Sequence, residues 1–247
     1  MAGHSKWKQI KRKKAVTDAR RGAHFTKLIK EITVSARQGG GDPAGNARLR
    51  AAIDAAKTAN MPSDNSDRAI KKGTGQLEGV HYEEVTYEGY GPGGAAIFIE
   101  VTTDNAKRTV ADIRHLLTRF EGKLGTTGSV AHMFEKRGEF YISAARYDED
   151  ATIEAVLDAG ALDVVKEGEH FVVTTQPQDF HAVQEAFKKR GIAWDSAEVA
   201  MIPRSTVRVE GRDAEKLVKL MEALEEHDDV ARVSSNFDVD LEALAEV

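Results

Sequence analysis

The stretch GEFYISAARYDEDATIEAVLDAGALDVVKEGEHFVVTTQPQDFHAVQEAFKKRGIAWDSAEVAMIP, residues 138–203, decides how the chain divides. Apolar residues alternate in GEFYISA, take helical spacing in DEDATIEAVLDAG and return to strand-like runs in ALDVVKE and HFVVTT. They become helical again in QDFHAVQEAFKKRG and end in a strand, IAWDSAEVAMI. The order β-α-β-β-α-β is that of a ferredoxin-like domain. Because this order is complete in itself, the strands on either side of it need each other. Upstream, VHYEEVTYEGYG and GGAAIFIEVTT read as strands joined at Gly91-Pro92-Gly93-Gly94. The helix NAKRTVADIRHLLTRFEG, with Asp104 as its cap, and a strand over GSVAHMFE follow. Downstream, STVRVE, the helix GRDAEKLVKLMEALEEHD and VARVSSNFDV supply strand, helix and strand. The expectation is a discontinuous α+β domain over 76–136 and 204–247, with a ferredoxin-like domain over 137–203 inserted in it.

Residues 1–75 read differently. TDARRGAHFTKLIKEITVSARQGG predicts a helix from about Thr17 to the run Gly39-Gly40-Gly41. Phe25, Leu28, Ile29, Ile32 and Ala36 share one face, which puts Arg20, Lys27, Lys30 and Arg37 on the other. A second helix starts with Asp42 as cap and Pro43 at its first position. It buries Leu49, Ala52, Ile53, Ala56 and Ala59 and turns Arg50 and Lys57 away, while PSDNSDRAIKKG makes a short third helix bearing Arg68, Lys71 and Lys72. The turn at Asn60-Met61-Pro62 could suggest a helix-turn-helix, but so short a third helix fits a plain packing unit better. The whole is an α+β multidomain protein with an N-terminal three-helix domain.

The charge follows this division. Over 247 residues the net charge is -5, yet residues 1–75 carry 17 Lys and Arg against 6 Asp and Glu, a local +11, and residues 76–247 carry 18 against 34, a local -16. Such asymmetry points to a polyanion, DNA or ribosomal RNA, as partner of the basic part. The alternative is a basic face neutralised by the acidic domains of the same chain. MAGHSKWKQIKRKK, residues 1–14, holds Lys6, Lys8, Lys11, Arg12, Lys13 and Lys14 with no acid. Each cation can neutralise a phosphate and release a counterion. Trp7 among them either stacks on an unpaired base or docks the arm by apolar burial. With Arg20, Arg21, Lys27, Lys30, Arg37, Arg50, Lys57, Arg68, Lys71 and Lys72, these are the candidate nucleic-acid contacts.

Other chemistry finds little support. No cysteine is present, which removes disulfides, thiolate nucleophiles and cysteine-held metals. GYGPGG, residues 89–94, leads into a strand rather than a helix N-terminus, so it reads as a hairpin connection and not a phosphate loop. GKLGTTGS, residues 122–129, lacks Walker order and reads as a helix stop and loop. The eight histidines form no His-x-x-x-His pair, and the adjacent acids Glu83-Glu84 and Asp228-Asp229 face different ways. The sequence points to no enzyme, metal, cofactor or small-molecule substrate. It contains no membrane-length apolar run and no secretory h-region, so the expected compartment is the cytoplasm.

The chain also resembles the YebC family, which includes bacterial probable transcriptional regulators and mitochondrial translational activators of cytochrome c oxidase. The matching pieces include MAGHSKW at 1–7, FTKLIKEI at 25–32, GGGDPAGNARLRAAIDAAK at 39–57, NMPSDN at 60–65, RAIKKGTG at 68–75, YEGYGPGG at 87–94, TDNAKRTVADIRH at 103–115 and GSVAHMF at 128–134. It departs from the usual pattern at Lys8-Gln9, Ala47, Ser66 and His132. The resemblance implies three domains, the last inserted in the second, and a non-catalytic regulator of gene expression acting on DNA, or alternatively on the ribosome. A start of the match at residue 3 implies a bacterial cytoplasmic member rather than a mitochondrial precursor.

Overall fold

The computed structural model describes residues 18–240, apart from the side chains of 18–21. Three helices come first: α1 (Asp18–Gly39), α2 (Ala47–Thr58) and α3 (Ser63–Gly73). Leu28, Ile32 and Ala36 of α1 meet Leu49, Ala52 and Ala56 of α2 and Ala69 of α3 in one core, as the helical spacing requires. Where α3 crosses α1, a Cβ on Gly73 would lie 2.4 Å from the Thr33 carbonyl oxygen, so only glycine permits that approach. The cap of α2 differs from expectation. Asn46, not Asp42, accepts from the Leu49 N–H at 3.0 Å. Its amide also donates to the Ser35 and Gly40 carbonyls at 2.8 and 2.9 Å, so one buried side chain closes the end of α1 and opens α2. Asp42 only turns the preceding loop, accepting from Ala44 N–H.

The second unit is an antiparallel sheet of β1 (Glu83–Tyr90), β2 (Ala96–Thr103), β3 (Lys123–Leu124) and β9 (Val230–Ser235), ordered β3-β1-β2-β9. β2 and β9 lie on opposite sides of the 138–203 stretch in sequence yet pair with Ile99 opposite Val233. Two helices, α4 (Ala106–Arg119) and α7 (Gly211–Glu226), cover one face: Ile97, Ile99 and Val101 meet Ile113, Leu117, Leu217 and Met221 there. The alternate β2 residues Ala96 and Phe98 pack on Val130 and Phe134 on the other face. Asn105, rather than Asp104, caps α4 by accepting from Arg108 N–H. β8 (Val207–Arg208) does not join this sheet but pairs in parallel with β10 (Phe237–Asp238).

Of the strand expected over GSVAHMFE, only the last two residues, Phe134 and Glu135, are extended, and they open β4 (Phe134–Ser143). Buried Glu88 of β1 accepts the N–H groups of Gly128, Val130 and Ala131 at 2.6, 2.6 and 2.8 Å, and that holds the segment as a loop. Three N–H groups committed to one carboxylate are not available to a sheet ladder.

The inserted domain runs β4, α5 (Glu149–Val156), β5 (Ala161–Glu167), β6 (His170–Thr175), α6 (Phe180–Arg190), β7 (Ser196–Pro203). Its strands lie in the order β5-β6-β4-β7, all antiparallel, the ferredoxin-like arrangement. Phe140, Ile142, Phe171 and Val173 face Val156, Val183 and Phe187 of the two helices. Arg232 of β9 reaches Glu198 of β7 at 3.2 Å and Glu100 of β2 at 3.5 Å, tying this domain to the middle sheet.

Candidate nucleic-acid interface

The candidate cations fall into separate groups. Lys6, Trp7, Lys8, Lys11, Arg12, Lys13 and Lys14 lie outside the described residues, and of Arg20 and Arg21 only the backbone, in the first turn of α1, is described. Lys57 on α2 and Arg68, Lys71 and Lys72 on α3 are exposed, the last three at 3- and 4-residue spacing on one face. Arg50 is half-buried, donates to the Pro43 carbonyl at 3.1 Å and approaches His181 Nε2 of the inserted domain at 3.4 Å.

Lys27, Lys30 and Arg37 correct the expectation of a helix basic on its outer face. That face of α1 packs on the middle domain. Arg37 donates to the carbonyls of Tyr82 and Val80 at 3.2 and 3.3 Å, and Lys27 Nζ donates to the carbonyl of Glu225. Lys30, 8% exposed, places Nζ 2.6 Å from Asp229 Oδ1 and 3.0 Å from the Asp228 carbonyl. On its other oxygen Asp229 accepts from Arg108 Nη2 and Thr109 Oγ1, both at 2.7 Å, and from Thr103 Oγ1 at 3.1 Å. Burial alone would raise the Asp229 pKa. The hydrogen bonds from Lys30, Arg108 and Thr109 overcome it and hold the carboxyl well below the usual aspartate range.

Sequence reasoning passed over Arg48, the most connected cation of the helical domain. Its guanidinium meets Glu31 Oε1 at 2.7 Å through Nε and Glu84 Oε1 of β1 at 2.6 Å through Nη2. Gln38 closes the circuit, accepting from Arg48 and donating to Glu84 at 2.8 and 2.7 Å. Four of the helical domain's cations, Lys27, Lys30, Arg37 and Arg48, could thus be assigned inward only once β1, α7 and β9 were placed beside it. The signal available in sequence was the excess of acid in the partner domain.

Chemically the arrangement holds charges in place and exposes others. Beside the Lys30–Asp229 pair lies an open cleft of about 620 Å³, whose walls carry Asp104, Asp112 and Asp228 as well as Arg108. So acidic a cleft repels phosphate. No group of three or more His, Asp or Glu among the described residues is placed to hold a metal ion. No helix among them is long and apolar enough to cross a membrane.

Fold and charge together define a three-part α+β protein with a basic helical head latched to acidic sheet domains. The chain belongs to the TACO1/YebC family. The family's N-terminal domain matches residues 5–76, and its second and third domain matches residues 82–237. A probable transcriptional regulatory protein of Gemmatimonas aurantiaca is 56% identical over 246 residues, covering 100% of both chains. One of Acidithiobacillus ferrooxidans is 56% identical over 99% of this chain and 98% of its own. The crystal structure of a conserved hypothetical protein from Aquifex aeolicus superposes with a TM-score of 0.84 at 44% identity, covering 92% of this chain and 94% of that one.

Proposed function

We propose that this chain is a non-enzymatic, cytoplasmic regulator of gene expression that grips a nucleic-acid backbone through its basic N-terminal portion, the acidic domains supplying orientation and protein contacts. The observation that carries this reading is the +11 charge of residues 1–75 set against -16 in the remainder. A polyanion is drawn to one end of such a molecule and repelled from the other. Lys57, Arg68, Lys71 and Lys72 remain exposed after the latch has used Lys27, Lys30 and Arg37. The name carried by the relatives, probable transcriptional regulatory protein, agrees with regulation and suggests DNA as the target.

One observation favours a second target, structured RNA such as that of the ribosome. A DNA recognition helix enters the major groove by its N-terminal residues. The first half of α3 instead exposes Asp64 and Asp67, whose carboxylates oppose phosphate and guanine edges alike. RNA read by shape and backbone needs no such helix.

The test is binding of the full chain to random duplex DNA and to structured RNA across a salt series. Changing Lys11, Arg12, Lys13 and Lys14 together to Ala should weaken binding and flatten the log–log salt slope by about three to four units. An unchanged slope refutes a role for the arm. Selection of one duplex over random duplex supports a DNA regulator, co-sedimentation with ribosomal particles supports the RNA reading, and nuclease-resistant association points to a protein adaptor.

A further inference from the structure

The four-stranded sheet of the inserted domain has two faces, and the domain's two helices cover one of them, where Phe140, Ile142, Phe171 and Val173 point. Their strand neighbours point the other way. Across the register Thr174, Glu139 and Glu198 stand in one row, Val172, Tyr141 and Ser196 in the next, and Glu167, His170 and Ser143 in a third. The centre of this second face is buried although neither α5 nor α6 lies on it: Tyr141 is 1% exposed, Glu139 4%, and Val172 and Thr174 6% each. Tyr141 and Val172 belong to none of the apolar cores formed by the described residues. A buried sheet face requires a cover, and two segments of the chain beyond residues 18–240 could supply it.

Charge decides between them. Tyr141 Oη donates to Glu139 Oε2 at 2.9 Å. Burial, together with the charges of Glu139, Glu167 and Glu198, pushes the Tyr141 hydroxyl well above the usual tyrosine range, so three carboxylates act on one buried phenol. Residues 241–247, LEALAEV, would add Glu242 and Glu246 to that field and bring no cation. Residues 1–17 bring Lys6, Lys8, Lys11, Arg12, Lys13 and Lys14 and no acid, with Trp7 and Ile10 among them as apolar cover. Burying carboxylates beside cations offsets a desolvation cost that burying them beside further carboxylates would raise. The reach is sufficient. Glu31 of α1 is near enough for its charge to act on Arg232, which pairs with Glu198 at the margin of the face. From Glu31 back to Asp18 is about 20 Å of helix, and the 17 residues before Asp18 extend up to about 56 Å.

We propose that the cationic arm, residues 1–17, lies across this face in the free chain, answering Glu139, Glu167 and Glu198, and that a nucleic acid must displace it to engage the arm. A four-stranded sheet of this kind can stack bases on aromatic side chains of its open face. Here the same face presents carboxylates, which repel phosphate and attract ammonium and guanidinium groups. The inserted domain thus holds the arm back from weak, unspecific polyanions. The docking stands on the burial and charge of the face, and only the competition rests on the nucleic-acid reading.

The chain has no cysteine, so Gln9→Cys gives a single nitroxide site in the full-length protein. At low salt the label should broaden the amide resonances of Tyr141 and Val172 more strongly than those of Val183 and Phe187 on the helix side. At about 1 M salt, where the Debye length falls to about 3 Å, the broadening should vanish. Removing residues 2–14 should raise hydroxyl-radical labelling of Tyr141, and removing 241–247 should not. The Glu139→Gln/Glu167→Gln variant keeps an acceptor oxygen for Tyr141 and should bind random duplex DNA up to about tenfold more tightly, the gain open to a site blocked about nine-tenths of the time. Changing Lys11, Arg12, Lys13 and Lys14 to Ala in that variant should remove the gain. Absent or uniform broadening, broadening that persists at high salt, or labelling that rises only on loss of 241–247 would overturn the docking. Unchanged affinity in the Gln variant, with binding still dependent on the arm, would overturn the competition. If binding never depends on the arm, the nucleic-acid reading and the competition fall together, while the nitroxide still decides the docking.

Discussion

Replacing Asp229 with Ala should loosen the helical domain from the sheet beneath it. The carboxylate is 4% exposed and serves Lys30, Arg108, Thr103 and Thr109 at once. At 2.6 Å the Lys30 pair alone represents roughly 6 kcal/mol of attraction at an effective dielectric constant of about 20. Desolvation of both ions offsets much of that, so removing the acid and leaving Lys30 buried without its counterion should cost about 3–5 kcal/mol. Lys30→Met should cost less, because Asp229 keeps Arg108 and two hydroxyls. The interaction energy from the double-mutant cycle should be about 2 kcal/mol, read by urea denaturation at neutral pH and by hydrogen exchange along α1. The pH dependence follows from the depressed carboxyl pKa. The stabilisation is complete above the unfolded aspartate value of about 3.9 and is lost as pH falls through the lower folded value. Wild type should therefore lose more stability than Asp229→Asn on acidification below pH ~4. Additive single mutants, within about 0.5 kcal/mol, together with parallel acid profiles, would refute the latch.

Glu88→Gln should destabilise by about 2–3 kcal/mol, because a buried acceptor of three backbone N–H groups loses its charge and presents an amide donor to one of them; faster exchange at Gly128, Val130 and Ala131 checks it. Gly73→Ala should lower the melting temperature of the helical domain, since its Cβ meets the Thr33 oxygen at 2.4 Å and the Ala36 Cβ at 2.8 Å; the cost of such overpacking is about 1–3 kcal/mol. The Arg68→Ala/Lys71→Ala/Lys72→Ala variant should keep wild-type stability and flatten the salt slope of nucleic-acid binding by about two to three units. An unchanged slope would remove α3 from the interface.

Periodicity alone determined the helical head, the β-α-β-β-α-β order of the inserted domain and the hairpin at GYGPGG, because each depends on which residues a single helix or strand turns inward. Composition determined the split of charge. Only the tertiary structure decided where those charges go. Lys27, Lys30 and Arg37 occupy the polar side of α1 in any helical wheel, but the approaches to β1 and β9 and the end of α7 bring Asp229 and main-chain carbonyls of Val80, Tyr82, Glu225 and Asp228 against that side and make it an interior one. GSVAHMFE alternates well enough for a strand, yet a carboxylate forty residues earlier takes three of its backbone donors and leaves only Phe134 and Glu135 to the sheet. Both outcomes rest on partners distant in sequence, and the field of a buried charge acts on what lies near in space, which no local pattern records.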